Sequence, residues 1–348
     1  MAELKCKKAK FGLLGDGTKV HLFTISNGKM SFSCTDYGCT LTSIIVPARG
    51  GKKIDVLLGC SSLDGYINSQ SCFGTIVGRF ANRISGATFM LDGIRYNLEK
   101  NERENSLHGG FDRYEKKVWK GKKIRTENGL GVQFTRYSYD GEQGMPGNVK
   151  IKVIYTLNEQ NEITLEYFAE SDKATPINLT NHAYFNLRGQ DSGSIESLEL
   201  QMDCSEFLEV DSQLIPTGAK INVKDAPAFD FTKAKTIGKD IAQTGDGYDH
   251  AFCIDGSGDK KLRLFAKLKD PESGRSMTMA TTEPAVQIYT GNFIEGLVGK
   301  NGTVYHKHDA ICMEAEAYPD APNKSQFPSC ILRPGEEYHQ VTKYAFSL

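Results

Sequence analysis

Within Asn178-Leu-Thr-Asn-His-Ala-Tyr-Phe-Asn-Leu187, His182 is an ionisable ring set among apolar and amide neighbours. Far along the chain, Ile311-Cys-Met-Glu-Ala-Glu-Ala-Tyr-Pro-Asp320 places a carboxylate, Glu314, in similarly apolar company. One imidazole and one carboxylate, each kept from water, are the minimal equipment for moving protons at neutral pH. The chain has no phosphate-loop spacing and no Cys-x-x-Cys pair, so neither a nucleotide cofactor nor a zinc ribbon is suggested. The expected chemistry is acid–base catalysis on a polar, uncharged substrate, without a cofactor.

Other segments carry groups suited to holding such a substrate. Gly78-Arg-Phe-Ala-Asn-Arg-Ile84 joins an amide and a guanidinium at Asn82 and Arg83, a donor-rich set that matches sugar hydroxyls. Taken locally, an ion-paired Arg at a surface strand end is the commoner explanation. In Asn105-Ser-Leu-His-Gly-Gly-Phe111 the two glycines after His108 would let backbone approach a ligand closely, although a turn with an incidental His also fits. Gly245-Asp-Gly-Tyr-Asp-His-Ala-Phe252 sets Asp249 and His250 at the start of an apolar segment, where a turn-capping Asp is equally reasonable. His306-Lys-His308 would project two imidazoles from one face of a strand, but no third ligand is adjacent, and no metal site is assigned. Glu314 and Glu316 share a strand face about 6.6 Å apart, which admits a glycoside-hydrolase reading. That reading ranks low, because a hydrolase pair must flank the scissile bond from opposite sides.

The elements that must position these groups are strands. Val149–Leu157 alternates with Val149, Ile151, Val153, Tyr155 and Leu157 on one face. Ile163, Leu165, Tyr167 and Ala169 repeat the pattern after an Asn158–Asn161 turn, which predicts a hairpin. Lys261-Leu-Arg-Leu264 continues the period-2 pattern toward Ala266 and Leu268. Turn signals recur at Gly15-Asp-Gly17, Gly50-Gly51, Asp92-Gly93, Asn128-Gly129, Asp140-Gly141 and Asn301-Gly302. Only Leu63–Ile67 and Glu115–Val118 suit short helical turns. The expected fold is all-β, a large antiparallel β-sandwich spanning residues 1–348 as one domain, with few short helices.

Bulk properties limit the partners. A formal net charge of -1 removes the electrostatic case for nucleic acid or an anionic membrane surface. No stretch approaches the roughly 20 apolar residues of a membrane span. The N-terminal segment lacks the apolar run of a signal peptide, and nine scattered cysteines suggest reduced thiols, so a cytoplasmic location is expected.

Taken together, Gly78–Ile84, Leu107–Gly110, Asn178–Leu187, Tyr248–His250, Gln287–Phe293 and Cys312–Asn323 resemble the aldose 1-epimerases over nearly the whole chain. Each motif is moderately specific; six in the same order are strongly so. The resemblance implies a galactose mutarotase-like β-sandwich that interconverts the anomers of free hexoses. It implies that Glu314 is the general base and His182 the general acid, and that Asn82, Arg83, His108, Tyr184, Asp249 and Gln287 hold the sugar. The starting protonation follows from the pair: an ionised Glu314 would favour the imidazolium of His182. One departure stands out. Glu316 occupies a position where the family commonly has a neutral amide, and a second carboxylate there would either raise the pKa of Glu314 by repulsion or point away and pair with a basic residue. A hexose-6-phosphate epimerase, which needs extra cations to clamp a dianion, and a non-catalytic sugar-binding β-sandwich are the alternatives.

Overall fold

The computed structural model describes residues 3–69 and 71–348. Three sheets dominate it. The N-terminal strands Lys5–Leu13, Lys19–Ser26, Ser31–Thr35, Thr40–Pro47 and Lys53–Asp55 form a five-stranded meander. A nine-stranded sheet runs in the order Lys120–Thr126, Gly129–Ser138, Val149–Leu157, Glu162–Ser171, Tyr338–Ser347, Ser276–Thr281, Arg263–Lys269, Glu199–Met202 and Lys235–Thr236. A six-stranded sheet runs Tyr184–Phe185, Ile311–Glu316, Ala285–Tyr289, Asp249–Cys253, Glu206–Val210 and Pro216–Asn222.

The expected hairpin is present, with Val149 opposite Ser171 and Leu157 opposite Ile163. Its alternating apolar residues are buried because one face of the large sheet looks into the core. Ile288 and Met313 of the six-stranded sheet share one apolar cluster with Val153, Leu165 and Tyr344 of the nine-stranded sheet. The rings of Phe185 and Tyr344 cross that interface, with centroids 5.2 Å apart. The molecule is therefore a β-sandwich, and α-helix is confined to Leu63–Asn68 among the described residues.

Two expectations about elements are corrected. The strand expected from Lys261 starts at Arg263, and a register shift between Leu264 and Ala266 breaks the simple alternation. Phe265 and Ala266 are both buried, while Leu264 is turned outward and 64% exposed. A bulge of this kind re-aims side chains, and local alternation cannot foresee it. His306 and His308 lie beyond the short strand Val304–Tyr305, in a turn rather than on a strand face.

The alternation of the strand Ile311–Glu316 decides what faces where. Ile311, Met313 and Ala315 enter the core, so Cys312, Glu314 and Glu316 point to the sheet's other side. There the strand meets the segments around His182 and Asn82.

Candidate active site

Glu314 pairs with Gln287 across the sheet, and Gln287 pairs in turn with Ala251. On the other side Tyr184 pairs with Cys312 and Phe185 with Ile311. His182 lies two residues before Tyr184. His182 is fixed there by its backbone: its N–H donates to Thr75 O at 2.9 Å, and its carbonyl accepts from Gly74 N at 2.8 Å. The result is a contact of 3.4 Å between His182 Nε2 and Glu314 Oε1, with both side chains buried.

A cleft of about 280 Å³ opens over this pair. All eight residues singled out in the sequence line it: Asn82, Arg83, His108, His182, Tyr184, Asp249, Gln287 and Glu314. Gln287 Nε2 donates to Asp249 Oδ1 at 2.6 Å, which leaves the other carboxylate oxygen of Asp249 3.8 Å from Arg83. Arg83 is held bidentately by Glu102, with Nε and Nη2 each 2.8 Å from a carboxylate oxygen. The backbone N–H of Asn82 donates to His108 Nδ1 at 3.1 Å, so the neutral His108 ring carries its proton on Nε2. Tyr184 stacks on His182 with ring centroids 4.9 Å apart and 15° between planes, which locks the imidazole's orientation.

The Gly78–Ile84 segment is anchored from below. Arg79 is fully buried, and its Nη atoms donate to Pro146 O, Gly147 O, Thr175 Oγ1, Ser138 Oγ and Tyr139 O at 2.7–3.3 Å. This arginine is a structural clamp, while its neighbour Arg83 faces the cleft. The glycines after His108 also serve the fold. A Cβ on Gly109 would lie 2.5 Å from Gly78 O, and one on Gly110 2.5 Å from Glu99 Oε2. Neither glycine lines the cleft, so they admit other parts of the protein rather than a ligand.

Burial overturns one electrostatic expectation. His182 is driven down to about 3, because desolvation outweighs any stabilisation of its charged form and Arg113 opposes it further. Glu314 is held well above the usual carboxylate range, first by burial and then by Glu316 and Asp249, with Arg83 pulling the other way. His108 is lowered well below its ordinary value by burial and by His182. Both shifts oppose the ion pair and favour the form in which Glu314 carries the proton and His182 is neutral.

Sequence reasoning did not single out Glu102, Arg113, Tyr289 or Phe293, all of which line the cleft. Tyr289 and Phe293 had a signal, since both lie in the Gln287–Phe293 motif. Phe293 is 68% exposed at the rim and stacks loosely on Tyr289, with centroids 6.2 Å apart. Cys312 completes a group with His182 and Glu314 whose ligand atoms lie within 4.8 Å of one another. Burial and the charge of Glu314 raise its thiol pKa strongly, and a protonated thiol is a poor metal ligand. Glu316 does not line the cleft, which removes the two-carboxylate hydrolase geometry.

A sequence model described as Aldose 1-epimerase matches residues 21–345. The chain is 43% identical to galactose mutarotase of Homo sapiens over 345 residues, covering 98% of both chains. It is 36% identical to aldose 1-epimerase of Escherichia coli K12 over 342 residues, covering 96% of this chain and 97% of that one. Among solved structures, galactose 1-epimerase from Lactobacillus acidophilus superposes with a TM-score of 0.86 at 26% identity, covering 99% of each chain.

Proposed function

The chain belongs to the aldose 1-epimerase family, and from that premise we propose that Glu314 and His182 carry the proton transfers that interconvert the anomers of a free hexose. Several relatives are named for galactose, which makes it the substrate to test first. The observation that carries the assignment is the 3.4 Å contact between His182 Nε2 and Glu314 Oε1 on the floor of a substrate-sized cleft.

Ring opening balances as follows. Glu314 takes the proton of the C1 hydroxyl, the C1–O5 bond breaks with its electrons passing to O5, and His182 delivers a proton to O5. The free aldehyde rotates about C1–C2 and closes on the other face, with both transfers reversed. The sugar itself moves the pair's proton into place. Its C1 hydroxyl donates to Glu314 and so favours the carboxylate, whereas its ring oxygen can only accept and so favours a protonated imidazole. Arg83, Asp249, Gln287, Asn82 and His108 then hold the remaining hydroxyls, and His108 Nε2–H and Arg83 stabilise negative charge that develops on oxygen.

A neutral sugar fits better than a phosphorylated one. Both cations of the cleft are already committed, Arg83 to Glu102 and Arg113 to Glu115, and no unpaired cation lines it among the described residues. We read residues 1–348 as a single catalytic domain whose partner is a monosaccharide. We place it in the cytoplasm, a reading supported by nine cysteines that are all free thiols. The experiment is the decay of optical rotation of freshly dissolved α-D-galactose: the protein should speed it at catalytic concentration, and an uncatalysed rate would overturn the proposal.

A further inference from the structure

Glu316 follows Glu314 on the same strand face but lies beneath the cleft wall, fully buried. Its Oε1 accepts a hydrogen bond from Asn82 Nδ2 at 2.8 Å. Its Oε2 is buried and has no hydrogen-bond partner among the described residues. The orientation of the Asn82 amide is fixed independently, because Asn82 Oδ1 accepts the backbone N–H of Arg83 at 2.8 Å. The amide nitrogen therefore faces Glu316, its second hydrogen has no partner among the described residues, and Asn82 lines the cleft.

The charges acting on Glu316 are mostly of its own sign. Glu314 shares its strand, Glu283 precedes the neighbouring strand Ala285–Tyr289, and Asp249 opens the next strand. Among the described residues the one cation acting on it is Arg83, already gripped by Glu102. An ionised Glu316 would set an oxygen with no donor among three other acids. The neutral acid presents the same carbonyl acceptor to Asn82 and leaves the buried strand with one negative charge fewer.

We propose that Glu316 acts as a neutral carboxylic acid, a positioning residue whose carbonyl oxygen holds Asn82 so that the free amide hydrogen of Asn82 is aimed at a sugar hydroxyl. Burial and the neighbouring acids keep its proton in place up to about pH 8, against the pull of Asn82. Neutrality at this position leaves Glu314 as the only one of the two that ionises when sugar binds. The kinetic side of the proposal rests on the function proposed above; the protonation state does not.

The test pairs two readouts. An infrared difference spectrum of the wild type against E316Q at neutral pH should show loss of one carboxylic-acid carbonyl band, and in the wild type that band should convert to carboxylate as pH rises through about 8. Loss of carboxylate bands instead would overturn the proposal whether or not the protein epimerises sugars. In polarimetric assays E316A should raise KM for galactose about tenfold, the equivalent of one lost hydrogen bond, with a smaller change in kcat. E316Q keeps a neutral carbonyl acceptor and should bring KM back to within about threefold of the wild type. An E316Q variant as impaired as E316A would show that the charge, not the acceptor, matters. If E316A does not fold, E316Q alone decides by its spectrum and its KM.

Discussion

His182 lies two residues before Tyr184, which pairs with Cys312, and its backbone is tied to Gly74 and Thr75, so its side chain meets that of Glu314. The 3.4 Å contact puts an imidazole and a carboxylate side by side in the lining of the cleft.

Replacing Glu314 by Gln preserves shape and removes the proposed base. Polarimetry should show kcat for galactose reduced by about 10²–10⁴ with KM little changed, since the lost interaction belongs to the transition state. A near-normal kcat would shift the base elsewhere.

His182→Asn should lower kcat by a similar factor of about 10²–10⁴. Because the two groups act on one proton inventory, the double variant should be hardly slower than either single one. Multiplicative losses would mean that they act independently.

The pH profile follows from the shifts at the pair. His182 is lowered to about 3 and Glu314 is raised, so the pair gains a second proton only well below pH 6.5 and keeps its single proton well above pH 4.5. The acid limb of the kcat/KM profile should lie far below the ordinary imidazole value. A half-maximum near pH 6.5 on the acid side would contradict the burial of His182.

Glu283 gives a stability prediction. Burial raises its carboxyl from 4.5 to about 7, against a hydrogen bond from the Tyr338 hydroxyl at 3.1 Å. A raised acid favours folding while protonated, so its contribution is whole below pH 4.5 and is lost as pH rises through about 7. The loss is on the order of 3 kcal/mol. Glu283→Gln should match the wild type in Tm in mild acid and exceed it at pH 9. Equal Tm values at pH 9 would show that Glu283 is not desolvated as described.

Phe293→Ala tests the rim. The ring is mostly exposed, so stability should change by no more than about 0.5 kcal/mol. KM should rise several-fold if the ring covers bound sugar.

The Val149–Ala169 hairpin, the antiparallel class and the identity of the charged groups were legible along the chain. Alternation around Val149–Ala169 is a local property of neighbouring side chains, and Glu314 advertises itself as a carboxylate in an apolar run. The bulge at Leu264–Ala266 was not legible, because register is settled by the partner strand. Nor was the division of labour between Arg79 and Arg83, which the local pattern treats alike and which packing separates into a buried clamp and a cleft wall. Tertiary structure alone decided which way each buried group's pKa moves. Desolvation depends on everything packed around a group, and it places His182 far below and Glu316 far above the values their residue types suggest.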